Sequence, residues 1–280
     1  MNQKLMMDKL METAVSDSRI VGLVDYGSSV EGRNDQWSDV DVALFIKADH
    51  LAAFDANWKT WAAKFGDLLL AYKGGIGHPW CVYDAQPLPL RVDFNFIADT
   101  DMASMQTWPK SPTSVEAMVK YDATGELANI VQSMVGQSLG PEDAEAAFAS
   151  ISGDFWYYIL RTIGKIKREQ EWLARWEFNF ILLGNLTALM RLESGYTERF
   201  RASHAVDGIE TAVSPQRLQQ LNQLIPAQGM DEIIRVMEAA IELGYGICQA
   251  IEQKEGWPWP RALAERIKTI DINLNDCGRG

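Results

Sequence analysis

The amino-acid sequence predicts an α+β protein, with a mixed β-sheet and flanking helices over residues 1–140 and an all-α helical bundle over residues 141–280. Short runs in the first half alternate apolar and polar residues, as half-buried strands do. Nearly every segment after residue 142 has instead the 3.6-residue period of an amphipathic helix. Gly140-Pro141 interrupts the chain between the two patterns and therefore marks the predicted domain boundary.

The elements of the first half follow from these local patterns and from the turn residues between them. We predict a helix near 3–15, strands near 20–26 and 39–46, a helix near 49–65, short apolar runs at 68–72 and 80–84, and a strand over 90–97. After Pro109 and Pro112 break the chain, residues 115–127 predict a short strand, a turn at Asp122–Gly125 and a helix.

The second half is predicted to be helical almost throughout. Its helical periods lie near 142–169, 171–193, 214–224, 230–254 and 259–268. Glycine and proline residues separate them, because proline cannot continue a helix and glycine weakens one. These features are typical of a helical bundle.

Two acids open the second predicted strand. If residues 39–46 form a strand, Asp39 and Asp41 point to the same face, with Cα atoms roughly 6.6 Å apart. Carboxylates at that spacing can converge on Mg²⁺, and without a cation their mutual repulsion is costly. The alternative is a surface hairpin with two exposed acids.

A Gly-Ser turn precedes these acids. Gly27 lets backbone N–H groups approach an anion, and the hydroxyl of Ser28 adds a donor, so the turn is a candidate seat for the terminal phosphate of a nucleotide. Arg33 follows in the spacer and is included among the predicted nucleotide-binding residues.

A third acid lies on the predicted strand over 90–97. Asp93 alternates with apolar neighbours and shares a face with Arg91 and Asn95. It is therefore a candidate partner for Asp39 and Asp41. The alternative is an exposed strand acid that pairs with Arg91.

The helical half contains a local cluster of basic residues between 161 and 175. Lys167 and Arg168 are the candidates for contact with a triphosphate, and Lys165 and Arg175 lie in the same cluster. The alternative is a solvated helix face.

The Gly-Ser turn, a spacer of about ten residues and Asp-x-Asp on the next strand resemble the signature of the DNA polymerase beta nucleotidyltransferase superfamily. Members carry a third carboxylate on a later strand, a position that Asp93 matches. Two further matches resemble the antibiotic nucleotidyltransferases that modify lincosamides and aminoglycosides: the Tyr121-Asp-x-Thr-Gly-x-Leu127 segment and the Lys167-Arg168 pair. The tail over 257–280 has no counterpart in this resemblance.

The resemblance implies transfer of a nucleoside monophosphate, most often AMP from ATP or another NTP, to a hydroxyl of a small-molecule acceptor, with release of pyrophosphate. Asp39, Asp41 and Asp93 would then be both catalytic and metal-binding, with two Mg²⁺ ions as cofactors. Asp93 would orient or deprotonate the acceptor hydroxyl. Residues 1–140 would be the catalytic domain and residues 141–280 a C-terminal helical domain.

The net charge of the chain indicates which class of acceptor it can bind. The net charge of −12 is spread over both halves: residues 1–140 carry 11 basic and 18 acidic side chains, and residues 141–280 carry 15 and 20. Polymerases need Lys and Arg stripes that neutralise phosphates. We therefore expect no nucleic-acid partner and a small or cationic acceptor, such as a lincosamide or aminoglycoside. A protein-directed adenylyltransferase or a nucleotide-binding regulatory module is the alternative, and a homodimer that shares one site is left open.

Cysteine usage and hydropathy predict a cytoplasmic protein without a membrane partner. Cys81, Cys248 and Cys277 are odd in number and widely spaced, as expected of free thiols. The first ten residues lack the apolar core of a signal peptide, and the most apolar stretch, 178–190, is too short to span a bilayer.

Overall fold

The computed structural model describes residues 2–74, 77–137, 143–195 and 205–273. The chain forms two compact units, Met1–Ser138 and Leu139–Gly280. The predicted boundary at Gly140-Pro141 and the third cysteine, Cys277, lie outside the described residues. None of the described helices combines the length and the apolar character that crossing a membrane requires.

The described part of the first unit is built on a mixed six-stranded sheet. Its strands are β1 (Ile20–Asp25), β2 (Val40–Ile46), β3 (Leu68–Lys73), β4 (Pro79–Tyr83), β5 (Leu90–Ala98) and β6 (Val119–Asp122). They lie in the order β3-β4-β5-β2-β1-β6. β2 and β5 run parallel, and the other neighbouring pairs run antiparallel.

Helices cover both faces of this sheet. They are α1 (Gln3–Ser16), α2 (Ala48–Ala56), α3 (Trp58–Ala62), α4 (Val115–Met118) and α5 (Glu126–Met134), with 3₁₀ helices at Ser28–Glu31 and Asp99–Thr107. Side chains of α1, α2 and α3 share a core with Leu44 of β2, whereas α4, α5 and the second 3₁₀ helix share a core with Phe45. The central strand β2 is therefore apolar on both faces, as strands covered on both sides are.

The predicted helix over 49–65 is divided at Asn57. This residue leaves the helical region, with φ −112° and ψ 11°, and its side-chain amide donates to the carbonyl of Ala53 at 2.9 Å. Asparagine competes in this way with the backbone hydrogen bonds of a helix. The break lets Trp58 and Trp61 of α3 pack into the core.

The segment around Asp122 is a helix-capping structure. Its carboxylate accepts hydrogen bonds from the backbone N–H groups of Gly125 (2.8 Å) and Ala128 (3.0 Å), at the start of α5. Gly125 has φ +79°, a conformation that favours glycine. The predicted turn and helix are therefore present, but residues 115–118 form α4 and not the start of a strand, because Ser114 caps them by accepting from the N–H of Ala117.

The described part of the second unit is helical, which together with the mixed sheet confirms the predicted α+β class. Its helices are α6 (Ala144–Ile166), α7 (Glu171–Glu177), α8 (Leu183–Glu193), α9 (Ile209–Ala212), α10 (Pro215–Asn222), α11 (Met230–Glu255) and α12 (Arg261–Lys268). One π-helical turn, Phe178–Leu182, joins α7 to α8, so that the predicted helix over 171–193 is continuous but not uniform. Phe155, Trp156 and Ile247 lie in its single large core.

Close packing of α11 against α6 gives a test of this core. Gly244 in α11 is buried, and a Cβ atom there would lie 2.3 Å from Cε1 of the fully buried Phe155. Gly244→Ala is therefore expected to lower the free energy of unfolding by about 1–3 kcal/mol, measured by urea denaturation followed by circular dichroism.

Gly246→Ala is the matched control, because a Cβ atom at Gly246 of the same helix would meet nothing within 4 Å. It is expected to be neutral or to raise the free energy of unfolding by up to about 1 kcal/mol, since alanine favours helix over glycine. Equal destabilisation by both substitutions would contradict the packing described here.

Candidate active site

Three carboxylates converge at the parallel pair of strands in the centre of the sheet. Asp41 of β2 lies directly opposite Asp93 of β5, so that both side chains are on the same face. Asp39 precedes β2, which begins at Val40 and not at Asp39 as predicted. One carboxylate oxygen from each acid lies within 4.8 Å of the others. The structure thus brings together the three acids that the sequence nominated.

This donor set fits a hard divalent cation. Mg²⁺ and Mn²⁺ prefer carboxylate oxygen ligands, and three carboxylates within reach of one point can supply several of them. All three side chains are partly buried, so their charges are only partly screened by water. The arrangement is therefore suited to hold Mg²⁺ through Asp39, Asp41 and Asp93.

Gly27 makes room for one of these acids. A Cβ atom at Gly27 would lie 2.7 Å from Oδ2 of Asp41, closer than real contacts allow. The sequence explained this glycine by the approach of an anion to the backbone. The structure adds a second reason, because the Asp41 carboxylate itself occupies the space that a side chain would take.

Sequence reasoning missed the residue that holds the Gly-Ser turn. Asp25 ends β1 and is buried, and its carboxylate accepts from the N–H of Gly27 at 3.0 Å and from the hydroxyl of Ser29 at 2.6 Å. Ser28 therefore starts its 3₁₀ helix from an anchored turn. An acid that closes an otherwise apolar strand directly before Gly-Ser was the available signal.

Burial and mutual repulsion raise the pKa values of two of the acids. Burial, followed by the charges of Asp39 and Asp93, raises the pKa of Asp41 to about 7, while the positive charge of Lys110 acts against this. Burial and Asp39 likewise raise the pKa of Asp93. The same cluster, after burial, raises the pKa of the Tyr26 hydroxyl. Excess negative charge of this kind is what a bound cation would relieve.

Arg91 pairs with a different acid from the one expected. The alternative prediction for Asp93 was an ion pair with Arg91. In the structure, Nη2 of the Arg91 guanidinium instead lies 3.0 Å from Oδ2 of Asp39. Its positive charge nonetheless acts to lower the pKa of Asp93, against the larger effect of burial. Arg91 therefore belongs to the carboxylate site.

The remaining predicted nucleotide-binding residues have local partners. Arg33 donates through Nε to Glu31 at 3.0 Å. In the second unit, Lys167 donates to the carbonyl of Asn273 at 2.5 Å, and Arg168 donates to the carbonyl of Gly164 at 3.0 Å. Arg175 donates to the carbonyl of Ala227 at 2.7 Å. The assignment of these residues to nucleotide binding stays a prediction.

The first unit has a cavity of about 360 Å³ that is lined by one of the three acids, Asp39, and not by Asp41 or Asp93. Its wall includes Asp39, the anchored residues Asp25 and Ser29, and the cationic side chain of Lys120. Polar and apolar side chains of α1, among them Lys4, Asp8 and Met7, complete it. Its volume lies within the range of small-molecule sites, but its lining residues are more polar than is usual for them.

Comparison with known proteins places the chain among nucleotide-transferring enzymes. The family model described as streptomycin adenylyltransferase matches residues 1–270. An aminoglycoside 6-adenyltransferase from Bacillus subtilis is similar in structure, with 15% sequence identity and a TM-score of 0.43 over 95% of this chain and 98% of that chain. A nucleotidyltransferase-like protein from Exiguobacterium sibiricum is similar with 11% identity and a TM-score of 0.35, over 94% and 86% of the two chains. A search of curated proteins finds no significant match.

The raised pKa of Asp41 predicts a pH-dependent stability in the absence of divalent cations. The pKa is about 7 in the folded protein and about 4 in an unfolded chain, so the folded state binds the proton more tightly. The contribution of Asp41 to stability therefore falls as pH rises from about 4 to 7 and levels off above that range. Asp41→Asn removes the charge and is expected to raise the free energy of unfolding by about 1–3 kcal/mol at pH 8, with little effect near pH 4.

The measurement is urea denaturation at pH 4, 6 and 8 in the presence of a chelator. Asp49→Asn, which removes an exposed carboxylate of α2, is the control and is expected to show no such trend. A gain for Asp41→Asn that is independent of pH would show that charge repulsion is not its cause.

Proposed function

The chain belongs to the streptomycin adenylyltransferase family, and from that premise we propose that it transfers AMP from ATP to a hydroxyl of an aminoglycoside such as streptomycin and releases pyrophosphate. It is a nucleotidyltransferase. The observation that carries the more specific proposal is the convergence of Asp39, Asp41 and Asp93 within 4.8 Å beside the Gly-Ser turn. All five of these residues lie in the first unit.

The reaction divides into roles that these residues can take. The acceptor hydroxyl oxygen forms a bond to the α-phosphorus of ATP, and the bond from that phosphorus to the oxygen bridging it to the β-phosphate breaks. When bound at the three carboxylates, Mg²⁺ supplies positive charge that offsets the charge of the phosphates. Asp39 and Asp41 would hold the ion, and Ser28 would donate to the terminal phosphates.

Asp93 is the proposed base. A carboxylate whose pKa is raised accepts a proton more readily near neutral pH, and burial together with Asp39 raises the pKa of Asp93. In this role Asp93 takes the proton of the acceptor hydroxyl as the new oxygen–phosphorus bond forms. In this proposal the Asp93 carboxylate would also bind the metal ion, so that one side chain contacts both the acceptor and the ion.

The charge of the chain favours a cationic acceptor. Aminoglycosides carry several positive charges, and a protein of net charge −12 attracts such a molecule over a distance. A lincosamide, which the sequence also suggested, and a protein hydroxyl are the alternative acceptors. We place the reaction in the cytoplasm, where ATP and Mg²⁺ are available.

The test is to incubate the protein with Mg²⁺ and ATP and, separately, with streptomycin, kanamycin, lincomycin or clindamycin. The expected product is an aminoglycoside heavier by one AMP unit in mass spectrometry, together with pyrophosphate. Modification of a lincosamide alone would transfer the proposal to that acceptor. Binding of ATP with no modified drug would favour a protein acceptor or a regulatory role.

Removal of any one carboxylate is expected to lower kcat by about 10²-fold or more, because each serves the metal or the proton transfer. The variants are Asp39→Asn, Asp41→Asn and Asp93→Asn, with Asp49→Asn as a control that retains activity. Melting temperatures are expected to be unchanged or raised. Retained activity in the three site variants would remove these acids from the mechanism.

A further inference from the structure

Arg91 lies two residues before Asp93 on β5 and is the preceding residue on the same face of that strand. The parallel register sets Val40 opposite Val92 and Asp41 opposite Asp93, so Asp39, one residue earlier, lies opposite Arg91. Alternation places Arg91 on the same face of β5 as Asp93. The site therefore presents two facing pairs, Asp39 with Arg91 and Asp41 with Asp93.

The ion pair of Arg91 engages the carboxylate of Asp39, one of the three acids that would hold a metal ion. Nη2 of Arg91 lies 3.0 Å from Oδ2 of Asp39. Three carboxylates and one guanidinium give the site a formal charge of −2, and part of the charge of Asp39 is already balanced by Arg91. A divalent cation at the three acids thus competes with Arg91 for Asp39.

We propose that Arg91 exchanges partners during the reaction cycle. Before substrate binds, it forms an ion pair with Asp39. When Asp39 binds the metal ion, Arg91 instead binds the phosphates of the nucleotide. This inference rests on the proposed function, because it requires a nucleotide at the three acids. It makes Arg91 a phosphate-binding residue that the sequence comparison with other nucleotidyltransferases did not nominate.

The Arg91–Asp39 pair is well suited to such an exchange. The side chain of Arg91 is 63% exposed and that of Asp39 is 28% exposed, so the pair is partly hydrated and inexpensive to open. A guanidinium matches the geometry of a carboxylate and of a phosphate equally well, and it keeps its charge at every relevant pH. Arg91 can therefore change partners without a change of protonation.

Two other cationic side chains of the described residues, Lys110 and Arg33, have different surroundings. Lys110 lies with Nζ 6.0 Å from the ring centroid of Tyr26 and acts on Asp41 through its charge. Arg33 donates to Glu31. Arg91 differs in two ways that an exchange of partners requires. It forms an ion pair with Asp39, one of the proposed metal ligands, and its side chain is largely exposed.

The exchange predicts effects of opposite sign on two ligands. In Arg91→Gln, Mn²⁺ alone is expected to bind about two- to fivefold more tightly, because no guanidinium competes for Asp39. Pyrophosphate in the presence of Mg²⁺ is expected to bind about tenfold more weakly, because a charge-assisted hydrogen bond to phosphate is lost. Arg91→Lys, which keeps the charge but not the planar fork, is expected to fall between the variant and the wild type for both ligands.

Electron paramagnetic resonance of free Mn²⁺ measures the first affinity, and isothermal titration calorimetry measures the second. Arg19→Gln is the matched control, because Arg19 forms a similar ion pair with Asp17, at 2.6 Å. This pair lies before the start of β1, whereas the Gly-Ser turn follows the end of that strand. It is expected to leave both affinities unchanged. Melting curves of all variants establish that they are folded.

Opposite shifts for Mn²⁺ and pyrophosphate in Arg91→Gln support the exchange. A loss of both affinities, as a purely structural role would give, or no change in either, would overturn it while leaving the proposed function intact. If the wild-type protein binds neither Mn²⁺ nor pyrophosphate with Mg²⁺, the proposed function itself fails, and the inference fails with it.

Discussion

The parallel pairing of β2 with β5 is the constraint on which the proposed active site depends. It sets Asp41 directly against Asp93 and brings Asp39 close to both, although Asp41 and Asp93 are far apart in the sequence. A parallel pair needs a crossover between its strands, and here the crossover contains α2, α3, β3 and β4. These elements extend the sheet and cover the face opposite the acids.

The carboxylate cluster is electrostatically costly as it stands, and the surroundings reduce that cost only in part. Burial and repulsion raise the pKa values of Asp41 and Asp93, while Arg91 and Lys110 act in the other direction. A site that is short of positive charge binds cations well, because the binding relieves an existing strain. In the proposed reaction the same shortage of positive charge would favour a cationic acceptor.

The Gly-Ser turn shows how a short motif depends on residues outside it. Gly27 leaves space for the Asp41 carboxylate, and Asp25 anchors the turn through two hydrogen bonds. If the turn binds phosphate as proposed, this anchoring would keep its donors in place before substrate arrives, which reduces the ordering that binding requires. The position of the turn therefore depends on both β1 and β2.

Local pattern in the sequence was sufficient for the class of fold and for most element positions, because alternation and helical period reflect burial that each segment carries in its own side chains. The three acids were nominated by local spacing together with a family resemblance, and the structure brings them close together. Local pattern could not give the break at Asn57, the first turn of α4 or the π-helical turn after Glu177, which depend on capping and packing by neighbours. Pairing across strands was likewise decided only in three dimensions. The sequence placed Arg91 beside Asp93, but strand register joined it to Asp39, since side chains meet across a sheet and not along one strand.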